Sequence, residues 1–256
     1  MLHLKIIINS FLLLLTSLLW SQDYQMVTIK RGAYVPLYGT KNKKPVEIDA
    51  FKMDVYPVTN AQYLLFVKKY PDFSKSKMKG LFAEKSYLSN WETEFNYGLK
   101  NLSNAPITNV SWFAAKKYCE CQGKRLPTMD EWEYVAMADK SRLDARTKEE
   151  FNSYILAWYE KPKTYTNPVG QTFKNYWGVY DMHGLVWEWT ADFNSIFLSG
   201  ESRKDKDTDK NLFCGSGSIN ASDLMNYAAF MRYGFRASLK ARFTTRNLGF
   251  RCAKDL

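Results

Sequence analysis

Histidine is almost absent from this 256-residue chain, which holds only His3 and His183. That scarcity excludes three-histidine metal centres, the His-Glu-x-x-His zinc site and any histidine relay. Cysteine is scarce as well, with Cys119, Cys121, Cys214 and Cys252 making up the whole set. No internal repeat and no low-complexity linker interrupts the chain, so nothing divides it into modules. The acidic residues are the weaker sign, 26 against 36 Lys and Arg, which leaves a formal charge of +10.

What is present suits a large core. The chain is 46% hydrophobic and 16% aromatic, with 17 Tyr, 16 Phe and 8 Trp, a load that disordered or linker sequence does not carry. The basic residues are scattered (Lys68, Lys69, Lys116, Lys117, Lys124, Arg125) and form no stripe, which argues against nucleic acid and for acidic protein surfaces. At the N-terminus, Lys5 precedes an apolar stretch from Ile6 to Trp20, broken by Asn9, Ser10, Thr16 and Ser17 and followed by polar Gln22 and Asp23. This pattern predicts a signal peptide over 1–21 and a single mature domain over 22–256, periplasmic or secreted. An uncleaved anchor is the alternative. A membrane span wants about 20 nearly unbroken apolar residues, so no stable span is expected after cleavage.

Export permits disulfides, and four cysteines are an even number. Cys119 and Cys121 stand too close to bridge one another comfortably, so each is expected to reach a distant partner. A four-thiolate metal site is the alternative, but Cys214 and Cys252 do not make the second close pair that zinc knuckles use. Helices are signalled where Thr59 and Gln62 form a capping box ahead of Tyr63, Phe66, Val67 and Tyr70 on one face. Ser111 opens a second helix, with Trp112, Ala115 and Cys119 on one face and Gly123 as a left-handed stop. Thr128 and Glu131 open a third, with Trp132, Val135 and Ala136 inward. Helices thus cluster in the first half, with short extended pieces at Val46 to Phe51 and Trp187 to Thr190. Residues 139–150 and 201–210 carry mixed charge and read as solvated loops. The class expected is α+β, a single compact domain poor in long regular elements.

Five strings are more specific: FKMDVYPVTNAQYLLF (51–66), PITNVSWFAAKKYC (106–119), GKRLPTMDEWEYVA (123–136), GVYDMHGLVWEWTADF (178–193) and NLGFRCA (247–253). In this order they resemble the formylglycine-generating enzyme family, the sulfatase-modifying factors, from about Met26 to Ala253. The resemblance implies the fold of that family, similar to C-type lectin-like domains. It also implies oxidation of a cysteine in a Cys-x-Pro-x-Arg segment of a sulfatase, by oxygen and a copper(I) ion held by two thiolates, the soft ligands that copper(I) prefers. The stretch where those thiolates belong, Ser218 to Leu248, contains no cysteine, so copper is not expected here.

Two other sites follow from the resemblance. It implies a Cys119–Cys252 disulfide, which leaves Cys121 and Cys214 for one another on parity alone. It also implies a Ca²⁺ site of Asp181, Gly184, Val186 and Glu188, where two side-chain oxygens and two carbonyls would suit a hard cation. The competing reading pairs Glu188 with a base such as Arg251. His183, in the same turn, could ligate a metal or move a proton, but a lone histidine there more simply packs. Trp112, Trp132, Trp177, Trp187 and Trp189 could line a peptide groove, though at these positions most read as core. The catalytic residues stay unknown. The expectation is an exported, non-oxidase accessory or peptide-binding protein acting on an exported protein or peptide client, with a formylglycine-generating oxidoreductase as the alternative.

Overall fold

The computed structural model describes residues 25–36, 45–193 and 224–256. Its strands are short: β1 (Met26–Ile29), β2 (Gly32–Tyr34), β3 (Val46–Ile48), β4 (Phe51–Asp54), β5 (Trp187–Glu188), β6 (Leu248–Gly249) and β7 (Ala253–Asp255). The helices are α1 (Asn60–Lys69), α2 (Trp112–Cys121), α3 (Met129–Ala136), α4 (Glu149–Glu160) and α5 (Leu224–Ser238). The domain is α+β with few regular elements, as the composition of its turns requires.

The first three helices start where their caps put them. Thr59 Oγ1 accepts the Gln62 N–H while Gln62 Oε1 accepts the Thr59 N–H, at 3.3 and 2.9 Å. Thr128 and Glu131 exchange the same pair of bonds, and Ser111 Oγ accepts from the Ala114 N–H. Each bond satisfies an amide that the first helical turn leaves without a partner. Past α2, Gly123 takes φ +65° and stops the helix.

Two expectations need correction. Helices do not cluster in the first half, because α4 and α5 lie in the second; α4 begins inside the charged run read as a loop, and its N-cap, Lys148, makes no side-chain capping bond. The extended piece at Val46 to Phe51 is also two strands serving two sheets. β3 pairs antiparallel with β2, whereas β4 lies between β1 and β7 in an antiparallel three-stranded sheet. Residues 201–210 lie outside the described residues.

Two clusters fill most of the interior. One gathers Tyr63 and Phe66 of α1, Tyr118 of α2, Trp189 and Phe250 around the disulfide Cys119–Cys252, whose Cα atoms are 5.6 Å apart. Tyr63 stacks on Tyr118 at 5.7 Å and meets Phe250 edge-on at 6.3 Å, arrangements that aromatic quadrupoles favour. The other packs Ile29, Phe51 and Met53 of the sheet against Trp132 and Val135 of α3, with Val179 and Met182. The disulfide therefore ties α2 to the residue that leads into β7. Among the described residues no helix is long and apolar enough to cross a membrane.

Candidate functional site

The Gly178–Phe193 segment turns tightly between the two clusters, and its backbone shows it: Asp181 has φ +59°, Gly184 +109° and Leu185 +40°. The first and third carry a Cβ in the left-handed region, which persists only where surroundings dictate it. The surroundings are polar and fixed. Asp181 accepts the Thr172 N–H at 3.0 Å and the Gly170 N–H, while its own N–H donates to Thr172 Oγ1 at 2.8 Å. Burial raises the Asp181 carboxyl above the usual carboxylate range despite those two amides.

Glu188, on β5, is held differently. Arg251 Nη2 donates to its Oε1 at 2.7 Å, Arg251 Nε to its Oε2 at 2.8 Å, and Trp132 Nε1 to Oε2 at 2.8 Å. Both charged side chains are fully buried. Both carboxylates are already engaged: Glu188 accepts three N–H groups and has its charge balanced by a guanidinium, and Asp181 serves a different set of partners. A cation beside Glu188 would face Arg251 in a medium of low dielectric. The positions expected to hold Ca²⁺, Asp181, Gly184, Val186 and Glu188, thus form an amide-bound aspartate, a tight glycine turn and an ion-paired strand.

His183 is buried as well. Its Nε2 donates to the Ala136 carbonyl at 2.7 Å, and its ring meets Phe151 and Trp132 edge-on at 5.7 and 6.1 Å. Nδ1 has no hydrogen-bond partner among the described residues. Burial, and then the Arg232 guanidinium, push its pKa down to about 3, so the imidazole is neutral. Close by, Glu133 of α3 receives Arg232 Nη2 at 2.8 Å and Arg236 Nη1 at 2.6 Å, both from α5. Burial raises the Glu133 carboxyl, but the two guanidiniums outweigh it and hold the pKa at about 2. The Arg236 guanidinium also lies 4.6 Å from the centre of the Trp132 ring.

Where α4, the Thr164–Thr166 turn, β5 and α5 meet, they enclose a groove of about 190 Å³. Trp158, Tyr159, Lys161, Lys163, Trp187 and Phe235 are among its walls, with the backbone of Gly184 and Val186 beside them. Trp187 stacks on Phe235 at 4.7 Å with planes 25° apart, and Tyr159 lies 5.0 Å from Trp187 on its other contact. Of the five tryptophans considered from sequence, Trp132 and Trp187 reach this groove, whereas Trp189 is in the first cluster, Trp112 packs on it, and Trp177 packs on the second. Trp158, Tyr159, Lys161, Lys163 and Phe235 had escaped the sequence reading, although apolar residues recur at helical spacing in EEFNSYILAWYE of α4.

Among the described residues, no cysteine and no histidine lines the groove. Cys119 and Cys252 are spent on their disulfide, and Cys121 is a free, half-buried thiol against the first cluster. The expected Cys121–Cys214 bond involves Cys214, which lies outside the described residues. A copper(I) ion does not fit these walls, which offer it no thiolate.

The family profile described as "Sulfatase-modifying factor enzyme 1-like domain" matches residues 20–256. The chain is 28% identical over 266 residues to a protein named formylglycine-generating enzyme of Mus musculus, spanning 85% of this chain and 69% of that protein. It is 27% identical over 257 residues to a protein of Bos taurus named inactive C-alpha-formylglycine-generating enzyme 2, spanning 82% and 79%. The structure of PvdO from Pseudomonas aeruginosa shares the fold, with a TM-score of 0.52 at 17% identity over 90% of this chain and 94% of that one.

Proposed function

The chain belongs to the sulfatase-modifying factor family, and from that premise we propose that it is an exported, non-oxidase member that holds a peptide segment of an exported client in the groove between α4, β5 and α5. One observation carries the reading: among the described residues the groove is walled by aromatic rings and lysines, with the Met182 thioether as its one sulfur and no thiolate, so it offers surface for binding and lacks the thiolate pair that would hold copper(I). The similarity to a relative named inactive supports it. Export rests on the signal-like segment before residue 22.

The binding step needs only this chain's own groups. The stacked Trp187 and Phe235 supply apolar area, and the ion pairs Glu188–Arg251 and Glu133–Arg236 keep the floor rigid and electrically balanced. A rigid, preorganised wall lowers the ordering cost of association.

The test is chemical. The full chain, given copper(I), oxygen and a peptide carrying Cys-x-Pro-x-Arg, is expected to leave the peptide mass unchanged. Stoichiometric conversion of the cysteine to formylglycine would overturn the reading. It would favour the alternative, a formylglycine-generating oxidoreductase with unusual ligands, which the 28% identity to the mouse enzyme supports.

A further inference from the structure

The charges around the groove are not equivalent. Glu188 is neutralised by Arg251, and Arg236 by Glu133, all with buried side chains. Lys161 and Lys163 are exposed and form no ion pair with an acidic side chain among the described residues. Lys161 Nζ lies 4.0 Å from the centre of the Trp158 ring, a cation on an aromatic wall. Lys163 sits at φ +56°, a left-handed backbone that no glycine here relieves, and this conformation presents the second lysine at the turn that closes the groove. Among the described residues, the groove is thus an aromatic slot with uncompensated positive charge on one side.

Its size limits what enters. A cavity of about 150 Å³ holds one benzene ring, whereas pockets for whole drug-sized ligands run to roughly 300–1,000 Å³. At about 190 Å³, this one takes a single large side chain of something bigger.

We propose that the client segment is an extended acidic peptide, whose aromatic side chain packs on the Trp187–Phe235 stack while its flanking carboxylates meet Lys161 and Lys163. This rests on the client-binding reading above and adds the sign and shape of the ligand. Aromatic contact provides area that is insensitive to salt, and the lysines at the rim select sign and speed association.

Trp158 and Trp187 report occupancy by their fluorescence. The full chain is titrated with acetylated Gly-Glu-Phe-Glu-Gly, with Gly-Lys-Phe-Lys-Gly, with Gly-Glu-Ala-Glu-Gly and with a short oligothymidylate. The first peptide is expected to bind at least about tenfold more tightly than the second or third, and less tightly as salt screens the rim. K161E/K163E, changed at exposed positions and checked by its melting curve, is expected to lose that preference for the acidic peptide. Equal binding of the acidic and basic peptides, or binding of the first peptide unaltered by K161E/K163E, overturns the inference and leaves client binding standing. Tighter binding of oligothymidylate replaces the peptide by nucleic acid, and no binding by any probe overturns the assignment of this groove. Neither result depends on the formylglycine assay, which judges the non-oxidase reading by itself.

Discussion

Glu188 and Arg251 form a bidentate ion pair at 2.7 and 2.8 Å with no exposed side-chain area on either partner. The pair joins β5 to the segment between β6 and β7, and Arg251 continues it by donating to the Asp54 and Val55 carbonyls at 3.3 Å. One guanidinium thus satisfies two chain segments, β5 and the end of β4, that belong to different sheets. A buried pair of this kind adds little net stability over apolar packing, but breaking it strands a charge.

Glu188→Gln is therefore expected to cost about 3–5 kcal/mol, because Arg251 would stay buried with a neutral partner. Thermal unfolding followed by circular dichroism measures it. The loss should be the same in calcium and in chelator, since the Arg251 guanidinium and the Trp132 N–H already engage both Glu188 oxygens. A calcium-dependent melting shift that Glu188→Gln removes would restore the cation site.

Acid should weaken the fold through His183. Its folded pKa is about 3 and its unfolded one near the ordinary 6.5, so between those values the unfolded chain binds a proton that the folded chain refuses. Stability rises with pH across that window and is lost as pH falls from the upper value towards the lower. Between about pH 7 and about pH 5 the loss is roughly 2 kcal/mol. The charged groups that face the ring are Glu133, Arg232 and Arg236, and Glu133, held at about 2, adds its own loss only at lower pH. Asp54 and Asp181, raised by burial, act in the opposite sense. His183→Gln keeps a donor for the Ala136 carbonyl, and subtracting its melting profile isolates the histidine. A profile that His183→Gln leaves as steep as before would refute the assignment.

The parts of this protein visible in the sequence are those written locally. Thr59 with Gln62, Ser111, and Thr128 with Glu131 each act within one helical turn, so the starts of α1, α2 and α3 could be read from neighbours. The start of α4 could not, because Lys148 makes no cap bond and the helix begins within a charged run. α5 was hidden for another reason: its Arg232 and Arg236 look like surface charge until Glu133, 99 and 103 residues away, is brought beneath them. The same holds for the site. Asp181 and Glu188 are close in sequence and suggest a shared cation, yet their partners, Gly170 and Thr172 for one and Arg251 for the other, are supplied by separate segments. The groove combines α4, β5 and α5, and no single string contains it.

Reducing the Cys119–Cys252 bond should destabilise the protein strongly. The bond closes 133 residues, and the chain-entropy account of such a loop gives about 5 kcal/mol as an upper figure. Its burial should also make it slow to reduce until the protein opens. Melting with and without reductant measures the first effect. Non-reducing digestion should release a Cys119–Cys252 peptide pair and a peptide with Cys121 open to alkylation after unfolding. A Cys121–Cys214 peptide would show that the half-buried thiol finds its partner in the long segment before α5.

Two glycines with positive φ separate backbone strain from steric conflict. Gly123, at +65°, has nothing within 4 Å of where a Cβ would stand, so Gly123→Ala meets only the cost of a left-handed alanine, about 1 kcal/mol. Gly184, at +109°, lies where even that conformation is poor, and its Cβ would stand 2.8 Å from two atoms of the Trp158 ring and 3.1 Å from Thr172 Cγ2. Trp158 is a wall of the groove and carries Lys161 on its face, so its displacement reaches the binding surface. Gly184→Ala is thus expected to cost roughly 2–4 kcal/mol, to shift tryptophan fluorescence, and to weaken acidic-peptide binding, whereas Gly123→Ala should leave the last two unchanged. If the two variants melt alike and bind alike, Trp158 does not rest on the bare backbone of Gly184, and the groove's shape is not set by that turn.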